Sequence, residues 1–266
     1  MVLLSMLVAA LVSGGHAPAA RIAQALVATG LVIVGAIALN QLIERWTDAR
    51  MARTAPRPLP SGHLSATEVT VFGLVASAAG LAWLALVGDR WLLAMAAGSW
   101  VIYVAIYTPL KPRSAWQTPV GAVAGAMPVL LGAAAAGVPM SLTGLSLFAI
   151  VYFWQFPHAM AIAWIYREEF GRAGLRLPTV IDPSGRTASR IAVWGAAALL
   201  PISLAPVVLS GLGKGYGIIA TLCGLAYLEA AFQFRSRTGE RSARRLLQTS
   251  LVYLVALMAA MVWARW

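Results

Sequence analysis

The chain has 266 residues, 60% of them hydrophobic and only 11% charged, with a formal net charge of +11. A soluble domain cannot cover that much apolar surface, so the composition excludes a water-soluble fold and points to a polytopic membrane protein. A single cysteine, Cys223, excludes a disulfide framework and a thiolate metal site, and no basic stripe alternates with stacking aromatics as nucleic-acid binding would require.

About 20 apolar residues are needed for a helix to cross a bilayer. By that measure the sequence predicts an all-α membrane protein with nine spans, near 1–13, 22–43, 68–88, 91–109, 118–137, 143–165, 189–210, 216–234 and 246–264. The first stretch is too short to cross alone. Gly14 to Ala20 offers the small residues of a signal-peptide cleavage site, but no basic segment precedes the apolar run, so it reads as a first helix without its leading turn. Sixteen of the twenty basic residues fall in the exits of spans two, four, six and eight. The positive-inside rule then places those four loops and the amino terminus in the cytoplasm, as expected for a multi-pass protein of the cell (inner) membrane.

The second span runs into Asn40-Gln-Leu-Ile-Glu44-Arg-Trp-Thr-Asp48, followed by Arg50, Arg53 and Arg57 and by Pro56, Pro58 and Pro60. On a helix Asn40, Glu44 and Asp48 are successive i, i+4 neighbours and share one face, about 6 Å apart along the axis. Oxygen donors so spaced suit a hard divalent cation such as Mg²⁺, and the arginines suit phosphate oxygens. A plain solvated helix end with local ion pairs is the bland alternative. Ser65-Ala-Thr-Glu68 is a capping box that opens the third span.

The fourth span exits through Tyr107-Thr-Pro-Leu-Lys111-Pro-Arg113. Lys111 and Arg113 are either diphosphate clamps or topology anchors. Tyr103 and Tyr107 either line a pocket or belong to an interfacial aromatic belt. The sixth span carries Trp154-Gln-Phe-Pro-His158, whose polar groups are costly at membrane depth unless buried in protein. They are read as an acceptor pocket or as an interhelical hydrogen bond at the Pro157 kink. Beyond lies a second acidic cluster, Arg167-Glu168-Glu169-Phe-Gly-Arg172. Five of the nine acidic residues (Glu44, Asp48, Glu168, Glu169 and Asp182) sit in just two loops of one face, which argues for a site shared between them. Adjacent helical residues point about 100° apart, so one of Glu168 and Glu169 faces the metal, and the sequence does not choose. Asp182-Pro183 is also an ordinary turn starter.

The Asn-x3-Glu-x3-Asp run resembles the first signature of the UbiA-type intramembrane prenyltransferases. Asp48 to Leu59, Tyr107 to Lys111, Gly121 to Pro128, Pro157-His158 and Tyr166 to Gly174 together resemble the protohaem IX farnesyltransferase (haem O synthase) branch, in order and over most of residues 40–190. The resemblance implies a nine-helix bundle around a central cavity open at the cytoplasmic face. It also implies Mg²⁺ held by Glu44, Asp48 and a glutamate of the second cluster with Asn40, and diphosphate held by Arg53, Arg57, Lys111, Arg113 and Arg172. His158, Trp154 and Tyr107 then line the acceptor pocket. The implied substrates are farnesyl diphosphate and haem B, the implied partners a haem A synthase or terminal-oxidase assembly. Arg172 standing four residues after Glu168, where quinone-type relatives have an aspartate, favours the haem branch over a quinone-precursor or chlorophyllide branch. A transporter is the rival of another class, but it predicts an internal repeat that the sequence lacks.

Overall fold

Helices connected by short loops make up the computed structural model, which describes residues 1–265, and no strand occurs among those residues. In chain order they are α1 (Val2–Val12), α2 (Ala19–Asp48), α3 (Ala66–Val87), α4 (Arg90–Val101), a widened π-helical turn (Ile102–Tyr107) and α5 (Thr108–Leu110). Then follow α6 (Gln117–Ala135), α7 (Leu142–Ile165), the short α8 (Arg167–Arg172) and α9 (Pro178–Ile181), and the long α10 (Arg186–Ser210), α11 (Lys214–Ser236) and α12 (Glu240–Arg265). Eight segments are long and apolar enough to cross a bilayer, with α4, the π turn and α5 forming one continuous span from Arg90 to Leu110.

Eight helices of crossing length are thus present among the described residues, with α1 as a shorter apolar helix beside them. Eleven residues rise only about 16 Å, roughly half the hydrocarbon thickness. α1 still belongs to the bundle: Met6 and Ala9 are fully buried, and the Met6 carbonyl is seated against Gly132 of α6, where a side chain would collide.

In lipid, apolar surface gives helices little reason to associate, so close backbone approach and dispersion do more of the packing. α2 and α3 follow this rule. A Cβ on Gly80 would stand 2.6 Å from the Ala28 carbonyl, and one on Gly73 would stand 2.7 Å from Leu39. On the other side of the bundle α7, α10, α11 and α12 enclose the fully buried rings of Tyr216 and Tyr227 and the nearly buried Tyr253.

Local chemistry sets the helix starts. Ser65 and Glu68 form the expected reciprocal capping box, and Asp89 accepts from the N–H groups of Trp91 and Leu92 at the start of α4. Asp182 accepts from both the N–H and the hydroxyl of Thr187 and from the Ser184 hydroxyl, so it caps α10 rather than facing the other acids. Those bonds to the charged form hold its carboxyl well below the usual carboxylate range.

The four basic exits lie at one end of the bundle. Met51, after α2, packs with Phe170 and Leu175 beyond α7. The Arg176 N–H donates to the Lys111 carbonyl at 3.1 Å, and Gly185 leaves room for the Trp164 ring and the Thr238 methyl. Charge segregation in the sequence thus corresponds to one physical face.

Candidate active site

The exposed end of α2 does not stop at the surface. Asn40, Glu44 and Asp48 turn one face into a cavity of about 620 Å³ enclosed by α2, the π turn, α6 and α7. That volume is in the usual range for a small-molecule site. The i, i+4 spacing puts the three oxygens in a column. Asn40 is buried and donates through Nδ2 to Thr108 Oγ1 at 2.9 Å, which leaves its carbonyl oxygen available. Asp48 is 1% exposed, and its Oδ2 accepts from Arg57 Nη1 at 2.8 Å. Lys111 Nζ stands 2.7 Å from Glu44 Oε1, and a carboxylate with this single cationic partner keeps lone pairs for a further ligand.

The π turn explains how Lys111 reaches the cavity. Thr108 Oγ1 donates to the Tyr103 carbonyl at 2.7 Å, while Pro109 has no N–H to return to this turn. The wider coil stacks Tyr103 on Tyr107 with ring centroids 5.6 Å apart, and Lys111 Nζ lies 4.6 Å from the centre of the Tyr107 ring. Burial alone would lower the Lys111 ammonium, but Tyr107 and the Glu44 carboxylate outweigh it and hold the group above its ordinary value. Opposite the tyrosines, α6 contributes Gly121, where a Cβ would stand 2.5 Å from the Tyr107 ring, and Gly125, which gives space to the Gln155 carboxamide. The Gly121-Ala-Val-Ala-Gly125 pattern is a helix face thinned to admit those two side chains.

Two carboxylates (Glu44, Asp48) and three cations (Arg53, Arg57, Lys111) line the cavity. The Arg53 guanidinium lies 5.3 Å from the Tyr166 ring centre, and the Arg53 backbone N–H donates to Glu169 Oε2 over a long 3.5 Å. Glu169 therefore stands beside the first motif at the rim. Glu168 does not: its side chain is 71% exposed and pairs on the surface with Arg167 and Arg172. Arg113 and Arg172 are exposed and off the cavity wall. No three acidic, histidine or cysteine side chains among the described residues are grouped closely enough to hold an ion by themselves. Mg²⁺, however, normally takes only one or two carboxylates and leaves its other positions to water and phosphate. The hard oxygens of Asn40, Glu44 and Asp48, with an unused lone pair on Glu44, fit that requirement.

Deeper in the cavity lie Trp154, Gln155 and His158 of α7. Trp154 and His158 stack with centroids 4.5 Å apart, and Gln155 Nε2 donates to the Ala122 carbonyl of α6 at 2.9 Å. Thr108 and Ser250, which support Asn40 and His158, were not singled out from the sequence. Thr108 sits inside a quoted motif, whereas Ser250 offers only a hydroxyl within an apolar run.

The UbiA prenyltransferase family model matches residues 1–264. The chain is 41% identical over 235 residues to the protoheme IX farnesyltransferase of Solibacter usitatus (strain Ellin6076), covering 88% of this chain and 80% of that one. It is 40% identical over 247 residues to the protoheme IX farnesyltransferase of Anaeromyxobacter sp. (strain Fw109-5), covering 93% and 83%. Among solved structures, the apo UbiA homologue from Aeropyrum pernix K1 matches with a TM-score of 0.78 at 20% identity, over 98% of this chain and 95% of that one. The UbiA homologue from Archaeoglobus fulgidus bound to DMAPP and Mg²⁺ matches with a TM-score of 0.70 at 18% identity, over 97% and 95%. The last two establish a common fold; the first two, with the family model over nearly the whole length, establish kinship, and the chain belongs to the UbiA prenyltransferase family.

Proposed function

We propose that the protein transfers the farnesyl group of farnesyl diphosphate to a vinyl group of haem B, with addition of water, giving haem O and diphosphate. The observation that carries this reading is the cavity itself: one end holds buried oxygen donors beside three cations, and the other end is aromatic and apolar around a histidine. A lipid donor with a polyanionic head and a flat acceptor need that division.

In the reaction the C1–O bond of the farnesyl diphosphate breaks, its electron pair leaving with the diphosphate. The vinyl π electrons form the new C–C bond to C1, water adds to the resulting cation beside the porphyrin ring, and a proton is lost to solvent. Arg53, Arg57 and Lys111 bind the departing oxygens and stabilise their developing charge. Asn40, Glu44 and Asp48, with Glu169 at the rim, would hold Mg²⁺, which when bound neutralises diphosphate charge. Tyr103 and Tyr107 line the wall beside the allylic cation, where their ring electrons favour its charge. The apolar wall keeps bulk water from the cation until the new C–C bond has formed.

This reading takes the bundle as nine helices with α1 as its short ninth member. It sets the basic loops and the cavity mouth in the cytoplasm of an inner-membrane protein, supported by the gathering of the four basic exits at one end. The product would pass to a haem A synthase or terminal-oxidase assembly. Incubating the detergent-solubilised protein with Mg²⁺, farnesyl diphosphate and haem B, and reading porphyrin masses, tests it. The expected product carries one farnesyl group and one hydroxyl; conversion of an aromatic acid acceptor with haem B left untouched would overturn it.

A further inference from the structure

His158 is held by a helix that the donor end of the site does not use. Ser250 of α12 is fully buried, and its Oγ lies 2.5 Å from the Leu247 carbonyl and 2.8 Å from His158 Nδ1. A hydroxyl has one hydrogen and a carbonyl can only accept, so the Ser250 hydrogen goes to Leu247. Its oxygen must then accept from His158, which places the imidazole proton on Nδ1 and leaves Nε2 with a lone pair. Nε2 has no hydrogen-bond partner among the described residues, and the residue lines the cavity.

The ring is also fixed in orientation. Trp154 stacks against it, the Trp154 indole N–H donates to the Ser250 carbonyl at 2.7 Å, and the Tyr227 hydroxyl donates to the Trp154 carbonyl at 3.1 Å. Residue 250 thus holds both members of the pair, one through its backbone and one through its side chain. A neutral imidazole with Nδ1–H bonded to the protein and Nε2 unengaged is the usual arrangement of a histidine ligand to a metal. His158 is the one imidazole on the cavity wall, and no cysteine lines it.

We propose that Ser250 is a positioning residue that presents His158 Nε2 to the cavity as an axial base for the iron of a metalloporphyrin acceptor. The iron belongs to the substrate, so this inference rests on the proposed acceptor. It explains how the aromatic and apolar end of the cavity sets the height and tilt of a flat ring against the donor.

The test is absorption and electron paramagnetic resonance of the purified full chain titrated with ferric haem B and, separately, with iron-free protoporphyrin IX. Wild type is expected to give a histidine-ligated iron spectrum and to bind haem B at least about tenfold more tightly than the iron-free ring. His158→Gln should abolish the signature, Ser250→Ala should weaken binding about tenfold with a mixed spectrum, and Ser250→Thr should restore it. An unchanged signature in His158→Gln, or Ser250→Ala indistinguishable from wild type, would overturn the proposal. Should Ser250→Ala fail to fold, ¹⁵N chemical shifts of the wild type read the tautomer directly, since there are only three histidines. A protonated Nε2 at His158 would contradict it. Product assays on the same samples separate the two levels. Haem O formed without iron ligation refutes the axial base alone, whereas haem B neither bound nor farnesylated refutes the acceptor as well.

Discussion

Lys111, just past α5, and Glu44 of α2 are 67 positions apart in the chain and meet at 2.7 Å inside the cavity. Arg57 and Asp48 make the parallel contact at 2.8 Å. In this state each carboxylate that would face a metal is already paired with a cation that would face a phosphate. Under the proposed function, binding would exchange partners: a metal ion would take the carboxylates and the anion the cations. Each ligand releases the groups that the other needs.

That exchange predicts reciprocal cooperativity between Mg²⁺ and inorganic diphosphate. Breaking the two pairs is a shared cost, met once when both ligands bind and in full by either ligand alone. Calorimetry should find each ligand tightened by the other by at least about tenfold, roughly 1.4 kcal/mol, and by the same factor in both directions. Equal affinities with and without the second ligand would show that the pairs do not exchange.

Removing one partner of the buried pair should cost more than removing both. Lys111→Met leaves Glu44 charged with its oxygens enclosed, and breaking such a pair typically costs about 3–5 kcal/mol. Both side chains retain some exposure (18% and 12%), so the lower end or less is expected here. The double variant Lys111→Met with Glu44→Gln should recover much of the thermal stability but none of the activity. The pair's pH response follows from the Lys111 ammonium being held above its ordinary 10.5. A raised folded-state value means the stabilisation is complete below the unfolded pKa and is lost only as pH rises through the folded one. Melting temperatures of wild type relative to the double variant should stay flat through neutral pH and fall only in strong alkali.

The two adjacent glutamates should separate sharply. Glu168→Gln removes only surface ion pairs, each worth at most about 1 kcal/mol, and should leave turnover within about twofold. Glu169→Gln alters a group that touches the backbone of the first motif and should lower kcat/KM by about tenfold or more. Steady-state kinetics on both variants decides between them.

Gly121→Ala should act through Tyr107. The added methyl would meet the ring at 2.5 Å and displace it from its place beside Lys111, so activity should fall about tenfold with only a modest drop in melting temperature. Combining it with Tyr107→Leu should give far less than the product of the two separate losses, because both changes act on the same space.

Much of this arrangement can be read in the sequence because local rules control it. The column Asn40, Glu44, Asp48 follows from helical spacing, the Ser65–Glu68 cap from its motif, and the common end of the basic loops from charge segregation. Other features depend on contacts between distant segments. Nothing local distinguishes Glu169 from Glu168; the neighbour that does so is Arg53, 116 positions away. The π turn at Ile102–Tyr107 has no periodicity signal of its own, and Ser250 gains its meaning only from the histidine on another helix. α1, eleven residues long, is as short as its apolar run suggests and packs into the bundle against α6.

The central claim is that the Asn40–Asp48 face and its cationic partners draw diphosphate from a farnesyl donor toward a haem acceptor. It is tested most directly by following diphosphate release and haem O appearance together, in wild type and in Asp48→Asn, with Mg²⁺ and both substrates present. The account predicts equal molar amounts of the two products from wild type and a loss of at least about a hundredfold in the variant, which should still bind haem B. Release of diphosphate without haem O from wild type, or undiminished turnover in Asp48→Asn, would contradict it.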